Sequence, residues 1–244
     1  MKRRVLACIS VVFLCIFTVA QSSDMDHWLK TGTEQQRVKK LLDLGVDREA
    51  AGIAPTDESE WRAMRTESRQ RFAILFLPCG ALSSSSLHLL RWDGGRWRVI
   101  DSVGFDCHYD DSVSIQTAAL RSQEFDDVLV HHECESHGTG FVQQNFNVYA
   151  IRSGKLRLML NREEVVNADP YSPGTKALKQ RSRFKALAAT ETDSGKIEET
   201  RCSTVNGKVK IQTRDFRWSN LRHRFVASEF TTVTLSDETR KVCR

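Results

Sequence analysis

From Phe72 onward the chain reads in a period of two, cut at intervals by short turns that carry glycine followed by a basic residue. The turns are Asp93-Gly94-Gly95-Arg96, Ser153-Gly154-Lys155, Asp193-Ser194-Gly195-Lys196 and Asn206-Gly207-Lys208. Glycine supplies the positive φ of a tight hairpin, and such a turn between alternating segments is the strongest short-range hairpin signal. After Asn206-Gly207, Val209, Ile211 and Thr213 fall on one face and Lys208, Lys210, Gln212 and Arg214 on the other. Val142, Phe146, Val148 and Ala150 form a similar stripe opposite Gln143, Asn145 and Asn147. Phe72-Ala73-Ile74-Leu75-Phe76-Leu77 is apolar on both faces, which predicts a strand covered on both sides and ended by Pro78. Roughly ten to twelve strands fit between residues 72 and 234, so the expected fold is mainly β: an antiparallel β-meander closed as a sandwich or curved barrel. The turn spacings of roughly 60, 41 and 12 residues are irregular, which ranks a propeller-like arrangement third.

Two short N-terminal helices are expected before this domain, within a helical segment 21–71. Thr33-Glu34-Gln35-Gln36 has the form of a capping box, Val38, Leu41 and Leu42 recur at helical spacing, and Gly45 is a stop. A second helix start falls at Thr56, with Asp57, Glu58 and Glu60 in its first turn and Trp61 and Met64 on one side. The polar stretch 167–183, with Pro170, Pro173 and Gly174, reads as a long loop that divides the β domain 72–244.

The first twenty residues are set apart by chemistry. Lys2, Arg3 and Arg4 precede the uncharged apolar run Val5 to Ala20, and Thr18-Val19-Ala20 has the small-residue pattern of signal-peptide cleavage near Gln21. Sixteen apolar residues span about 24 Å as a helix, short of the roughly 30 Å hydrocarbon core. A signal peptide on an exported chain, periplasmic or secreted, is therefore expected, its retention as an anchor being the alternative. The mature chain is not expected to span a membrane. Export makes disulfides the first reading of Cys107, Cys134, Cys202 and Cys243, with Cys79 as the unpaired candidate at the end of an apolar strand.

Charge is divided along the chain. Residues 21–150 hold 13 Lys and Arg against 20 Asp and Glu, whereas 151–244 hold 20 against 11. Internal compensation is one reading and an anionic partner for the second half is the other. The basic residues Lys176, Lys179, Arg181 and Arg183 are the anion-contact candidates in that half. Nucleic acid is not expected of an exported chain, and the interleaved aromatics of a strand-binding platform are scarce there.

The densest chemistry lies in His131-His132-Glu133-Cys134-Glu135-Ser136-His137. On a strand His131, Glu133 and Glu135 share one face and His132 and Cys134 the other. His131, Glu133, Glu135 and His137 are the candidate zinc ligands, since imidazole nitrogen and carboxylate oxygen suit that ion. Asp101, Asp106, Asp110 and Asp111 offer oxygen to calcium without the spacing of an ion-wrapping loop. A nucleophile reading rests on Cys79 or Ser83–Ser86 beside His88, His131 or His132, with no G-x-S-x-G elbow to support it. Trp92, Trp97 and Trp218 flank hairpins, where they stack on sugars or, more simply, pack across strands.

Three function classes follow. A non-enzymatic exported β module that binds a protein or glycan partner comes first, and no cofactor is assigned to it. A metal-dependent hydrolase built on His131–His137 is the alternative, and a structural accessory subunit is the third.

Overall fold

The computed structural model describes residues 25–233 except 26, 53–58, 69, 79–83, 106–111, 137–140, 166–178 and 206–207. The expected signal peptide and the Thr56 helix start lie outside them. Helix α1 (Glu34–Leu44) begins with the expected capping box: Thr33 Oγ1 accepts from the Gln36 amide and Gln36 Oε1 accepts from the Thr33 amide. It ends at Gly45, whose φ of 91° allows the Gly45 amide to donate to Leu42 O and the Val46 amide to Leu41 O. Leu41 and Leu44 face the core, whereas Leu42 is exposed. Helix α2 (Arg48–Gly52) starts on Asp47, whose Oδ1 accepts from the Ala50 amide at 2.8 Å.

The helical reading of 21–71 is corrected at its end, because β1 (Glu60–Met64) is a strand. Trp61 and Met64, three residues apart, suit one face of a helix and equally the two faces of a doubly covered strand. Here they point opposite ways, Trp61 towards the helices and Met64 into the body of the protein.

Three antiparallel sheets follow, each a meander. Sheet A joins β1, β2 (Phe72–Leu77), β3 (Ser85–Asp93) and β4 (Arg96–Phe105). Sheet B joins β5 (Ser112–Ala118), β6 (Asp127–Ser136), β7 (Phe141–Arg152) and β8 (Lys155–Val165). Sheet C joins β9 (Lys179–Leu187), β10 (Lys196–Val205), β11 (Lys208–Ser219) and β12 (Arg224–Ala227), and β13 (Thr231–Thr232) also pairs with β11. The expected strand count and hairpin connections hold, and the sheets stack as a sandwich without closing into a barrel. β9 begins at Lys179, so the expected loop 167–183 is shorter at its C-terminal end and Arg181 and Arg183 sit on a strand. Ser85 and Ser86, the end of the Ser83–Ser86 run, open β3.

The layers are held by three apolar clusters. Ala73, Leu75, Leu77 and Leu90 of sheet A pack under Leu29, Leu41 and Leu44 of the helical layer. The other face of sheet A, with Phe72, Ile74, Phe76, Leu87 and Leu89, meets Val128, Val130, Tyr149 and Ile151 of sheet B. Leu129, Phe146 and Val148 on the far side of sheet B then meet Ile197, Phe216 and Phe225 of sheet C. Sheets A and B are thus covered on both faces, as the two-sided apolarity of β2 requires. Polar ties reinforce the stack. Asp101 Oδ2, one of the calcium candidates, accepts from the Leu156 amide at 2.7 Å and so fastens β4 to β8. Its companions Asp106, Asp110 and Asp111 lie outside the described residues. Among the described residues no helix is long and apolar enough to cross a membrane.

Gly195, in the link from β9 to β10, shows how close sheet C comes to sheet B. A Cβ there would lie 2.6 Å from Leu187 O and 2.9 Å from Ala189 N and Leu120 Cα. The Ala189 amide donates to Ala119 O across the same contact. Gly195→Ala is expected to lower stability by about 1–3 kcal/mol through overpacking, while Gly104→Ala, with nothing within 4 Å, stays near neutral. Urea midpoints of the two variants check this, and equal midpoints would contradict it.

Candidate functional site

The chemistry-bearing face of β6 looks into the junction between sheets B and C. Antiparallel register sets His131, Phe146 and Arg162 in one row across β6, β7 and β8, and Glu133 beside Gln144 in the next. Facing them on sheet C, Phe184, Glu199 and Arg214 form a row across β9, β10 and β11. The two rows meet where Phe146 stacks on Phe184, with centroids 4.3 Å apart and planes at 6°.

Polarity increases along this seam, from the Ile197–Phe216 row to the Glu199 row and then to Ser182 and Arg201. Glu199 is fully buried and occupied on both oxygens. Oε1 accepts from Ser182 Oγ at 3.1 Å and from Arg201 Nη2 at 3.0 Å, and Oε2 from Arg214 Nε at 2.7 Å. Arg162 Nε stands 3.9 Å from Oε2. Phe230 lies under Arg201 and Arg214 at 4.3 and 4.1 Å, so three cations and two aromatic faces surround one carboxylate, Phe216 being the second face. Burial holds the Arg214 guanidinium below its usual range against the pull of Glu199, and Arg162 and Arg201 add to the lowering. The alternation expected for β11 holds, with Ile211 and Arg214 on opposite faces: Ile211 is buried on one, and Arg214 points into the seam, where Glu199 compensates it.

A second tie leads from this centre to the predicted zinc segment. Ser182 donates its amide to Gln144 Oε1 at 3.3 Å, and Gln144 Nε2 donates to Glu133 Oε2 at 2.6 Å. Arg181 Nη2, an anion-contact candidate, donates to Glu133 Oε1 at 3.2 Å. Both Glu133 oxygens are therefore committed to protein partners. His131 and Glu133 share a face as expected, and His131 Nε2 is buried without a hydrogen-bond partner among the described residues. His132 points the other way, towards Phe105 of sheet A at 6.0 Å. His137, Lys176 and the side chains of Cys134, Glu135 and Lys179 lie outside the described residues. Among the described residues no group of three His, Cys, Asp or Glu side chains converges as a metal site. Arg183 is exposed on sheet C. Cys202 is buried and is not free, whereas Cys79, Cys107 and Cys243 lie outside the described residues.

His88 is buried in sheet A with Ser86 Oγ 2.9 Å from Nε2 and Ser102 Oγ 2.8 Å from Nδ1. Burial lowers its pKa. The expected juxtaposition of the serine run with His88 is thus present at Ser86, and hydroxyls take up both ring nitrogens of a histidine that is only 2% exposed, the pattern of a satisfied core histidine, while Cys79 and Ser83 lie outside the described residues.

Sequence reasoning missed a cleft of about 800 Å³ at the meeting of all three sheets. It is lined from sheet A by Thr66, Glu67 and Phe72, from sheet B by Ile151, Arg152, Arg157 and Leu158, and from sheet C by His223 and Arg224. Its rim is formed by hairpin ends, and Ser153 (φ 52°) and His223 (φ 48°), both on the lining, are the positive-φ non-glycine residues of the described chain. Glu67 is engaged by Arg121, which also grips buried Asp127. Arg152, Arg157 and Arg224 enter no ion pair among the described residues. The Gly154 turn was the visible signal, but only the stacking of three sheets brings these hairpins together. No family model, curated protein or solved structure matches this chain.

Two measurements test the seam. Glu199→Gln is expected to cost about 3–5 kcal/mol in a chemical denaturation series, because three half-buried guanidiniums lose their counter-charge. A loss under 1 kcal/mol would mean that the cluster is not coupled to folding. Burial also lowers the pKa of His131, against the pull of Glu133. The unfolded chain then binds the extra proton, so stability is full above the ordinary histidine value of about 6.5 and falls as pH drops towards the folded pKa. His131→Gln should therefore lose less stability than wild type between pH 7.5 and 5.5. Equal losses would remove His131 from that titration.

Proposed function

We propose that this chain is an exported, non-enzymatic β-rich binding module that takes an anionic ligand in the three-sheet cleft. The observation that carries the reading is a concave site with three guanidiniums, Arg152, Arg157 and Arg224, that the described protein does not neutralise. Its volume falls in the range of small-molecule sites, about 300–1,000 Å³. The surplus of basic residues after residue 150 is consistent with it, since all three belong to that half. In the seam, Gln144 and Arg181 take up both Glu133 oxygens, and His131 and His132 point to opposite faces of β6.

Export rests on the leader alone. N-terminal sequencing of the chain recovered from outside the cytoplasm should begin near Gln21, and a chain starting at Met1 and held in the cytoplasm would refute it.

Binding is tested by footprinting. Phenylglyoxal should modify Arg152, Arg157 and Arg224 in the isolated protein, and an extract of the compartment into which the chain is exported should protect all three relative to exposed Arg183. No protection by aqueous or organic fractions would sink the reading. About one zinc per chain, lost in His131→Ala, would turn the case towards the metal-dependent hydrolase.

A further inference from the structure

We infer that the ligand of this cleft is an amphipathic anion, with a carboxylate or phosphate head on an apolar chain; this deepens the reading above and rests on it. The cleft has two chemically different parts. Its rim carries Arg152, Arg157 and Arg224, drawn from the two arms of the β7–β8 hairpin beside its turn and from the start of β12. Its wall carries Phe72, Ile151, Leu158 and Met159. Leu158 is 50% exposed, beside Arg157 on β8, while Phe72 and Ile151 are 3% and 5% exposed and so form a rigid apolar backing.

Leu158 stands half exposed inside the same concave site as the three guanidiniums, so the cleft offers apolar area and cations together. A small hydrophilic anion would satisfy the guanidiniums and leave Leu158 wet. A neutral apolar ligand would cover Leu158 and take water from the arginines without replacing it. Only a ligand with both parts answers both. The guanidinium fork suits the head, because carboxylate and phosphate oxygens accept two parallel N–H donors. The wall suits the chain, each buried methylene adding about threefold to fourfold in affinity. The positive φ at Ser153 and His223 fixes the two turns that bring the rim together.

The test is a matched series on the intact mature chain, each compound below its micelle concentration, read by calorimetry. Dodecanoate and dodecyl phosphate carry both parts, acetate and inorganic phosphate the head alone, dodecyl maltoside a neutral head and dodecyltrimethylammonium a cationic one. At least one of the first pair is expected to bind more than about tenfold tighter than every other compound, and which of the two does so separates a fatty-acid source from a phospholipid source. Binding should weaken about tenfold in Leu158→Ser and at least as much in the double variant Arg157→Gln/Arg224→Gln, with unfolding midpoints confirming that both are folded. Acetate or phosphate binding as tightly as the dodecyl forms would overturn the inference and leave the cleft an anion site. Equal binding of dodecyl maltoside would overturn it by showing that charge is not read. If the whole series fails while an extract still protects the three arginines, the ligand class is wrong and the binding reading survives. Failure of the series together with absent protection would overturn both.

Discussion

A sheet enclosed by two others has no face for water, and that constraint governs most of this molecule. Sheet B lies between A and C, so the side chains of β6 and β7 are mostly apolar or supplied with partners, His131 Nε2 and Asn147 Oδ1 being buried without one among the described residues. Val128, Val130, Tyr149 and Ile151 meet the requirement on one face and Leu129, Phe146 and Val148 on the other. Where the sequence places Glu133 and Gln144 on the second face, sheet C answers with Arg181 and the Ser182 amide. Glu199 meets the same demand from the opposite side with three arginines and a serine. A buried carboxylate is costly unless its lone pairs are filled, and breaking one partner leaves the others exposed to that cost. Sheet C is thereby fixed in register on sheet B, which in turn sets the position of the β11–β12 turn at the cleft.

The fold was readable because its signals are local. Gly94, Gly154 and Gly195 mark links whose geometry needs positive φ or close approach, and Thr33 and Gly45 bound a helix by their own hydrogen bonds. β2 disclosed its double burial by having no polar residue at all. β1 was misread for a physical reason: Trp61 and Met64 are spaced for a helix face and for two strand faces alike, and only the covering layers choose between them. For β11 alternation separated Ile211 from Arg214 correctly but could not say that both faces are covered there. An arginine inside a sandwich is decided by a glutamate on the neighbouring strand.

The candidate site was less legible. That His131 and Glu133 share a face follows from the pleat, and the structure agrees. What fills Glu133 does not follow, since Gln144 lies 11 residues away and Arg181 lies 48 away, and neither distance has a sequence signature. The cleft is further still from local reading. Its lining comes from residues 66–72, 151–159 and 223–224, three hairpin regions that look alike in sequence and come together only when the sheets stack. The charge excess of the second half was a visible trace of it, without an address.

The two arginine groups differ in what their charge achieves. Around Glu199 the guanidiniums are enclosed, the dielectric is low and each interaction is strong, but the carboxylate that holds them is part of the chain and cannot be displaced by a dilute anion. At the cleft Arg157 and Arg224 are exposed, and an ion pair in that setting is worth only about 0–1 kcal/mol. Two such contacts, even with half-buried Arg152 beside them, cannot by themselves hold a small anion against physiological salt. They can orient one and steer its approach. Under the binding reading, affinity must therefore come from the apolar wall, and the arginines select which apolar molecules enter and which end of each faces water.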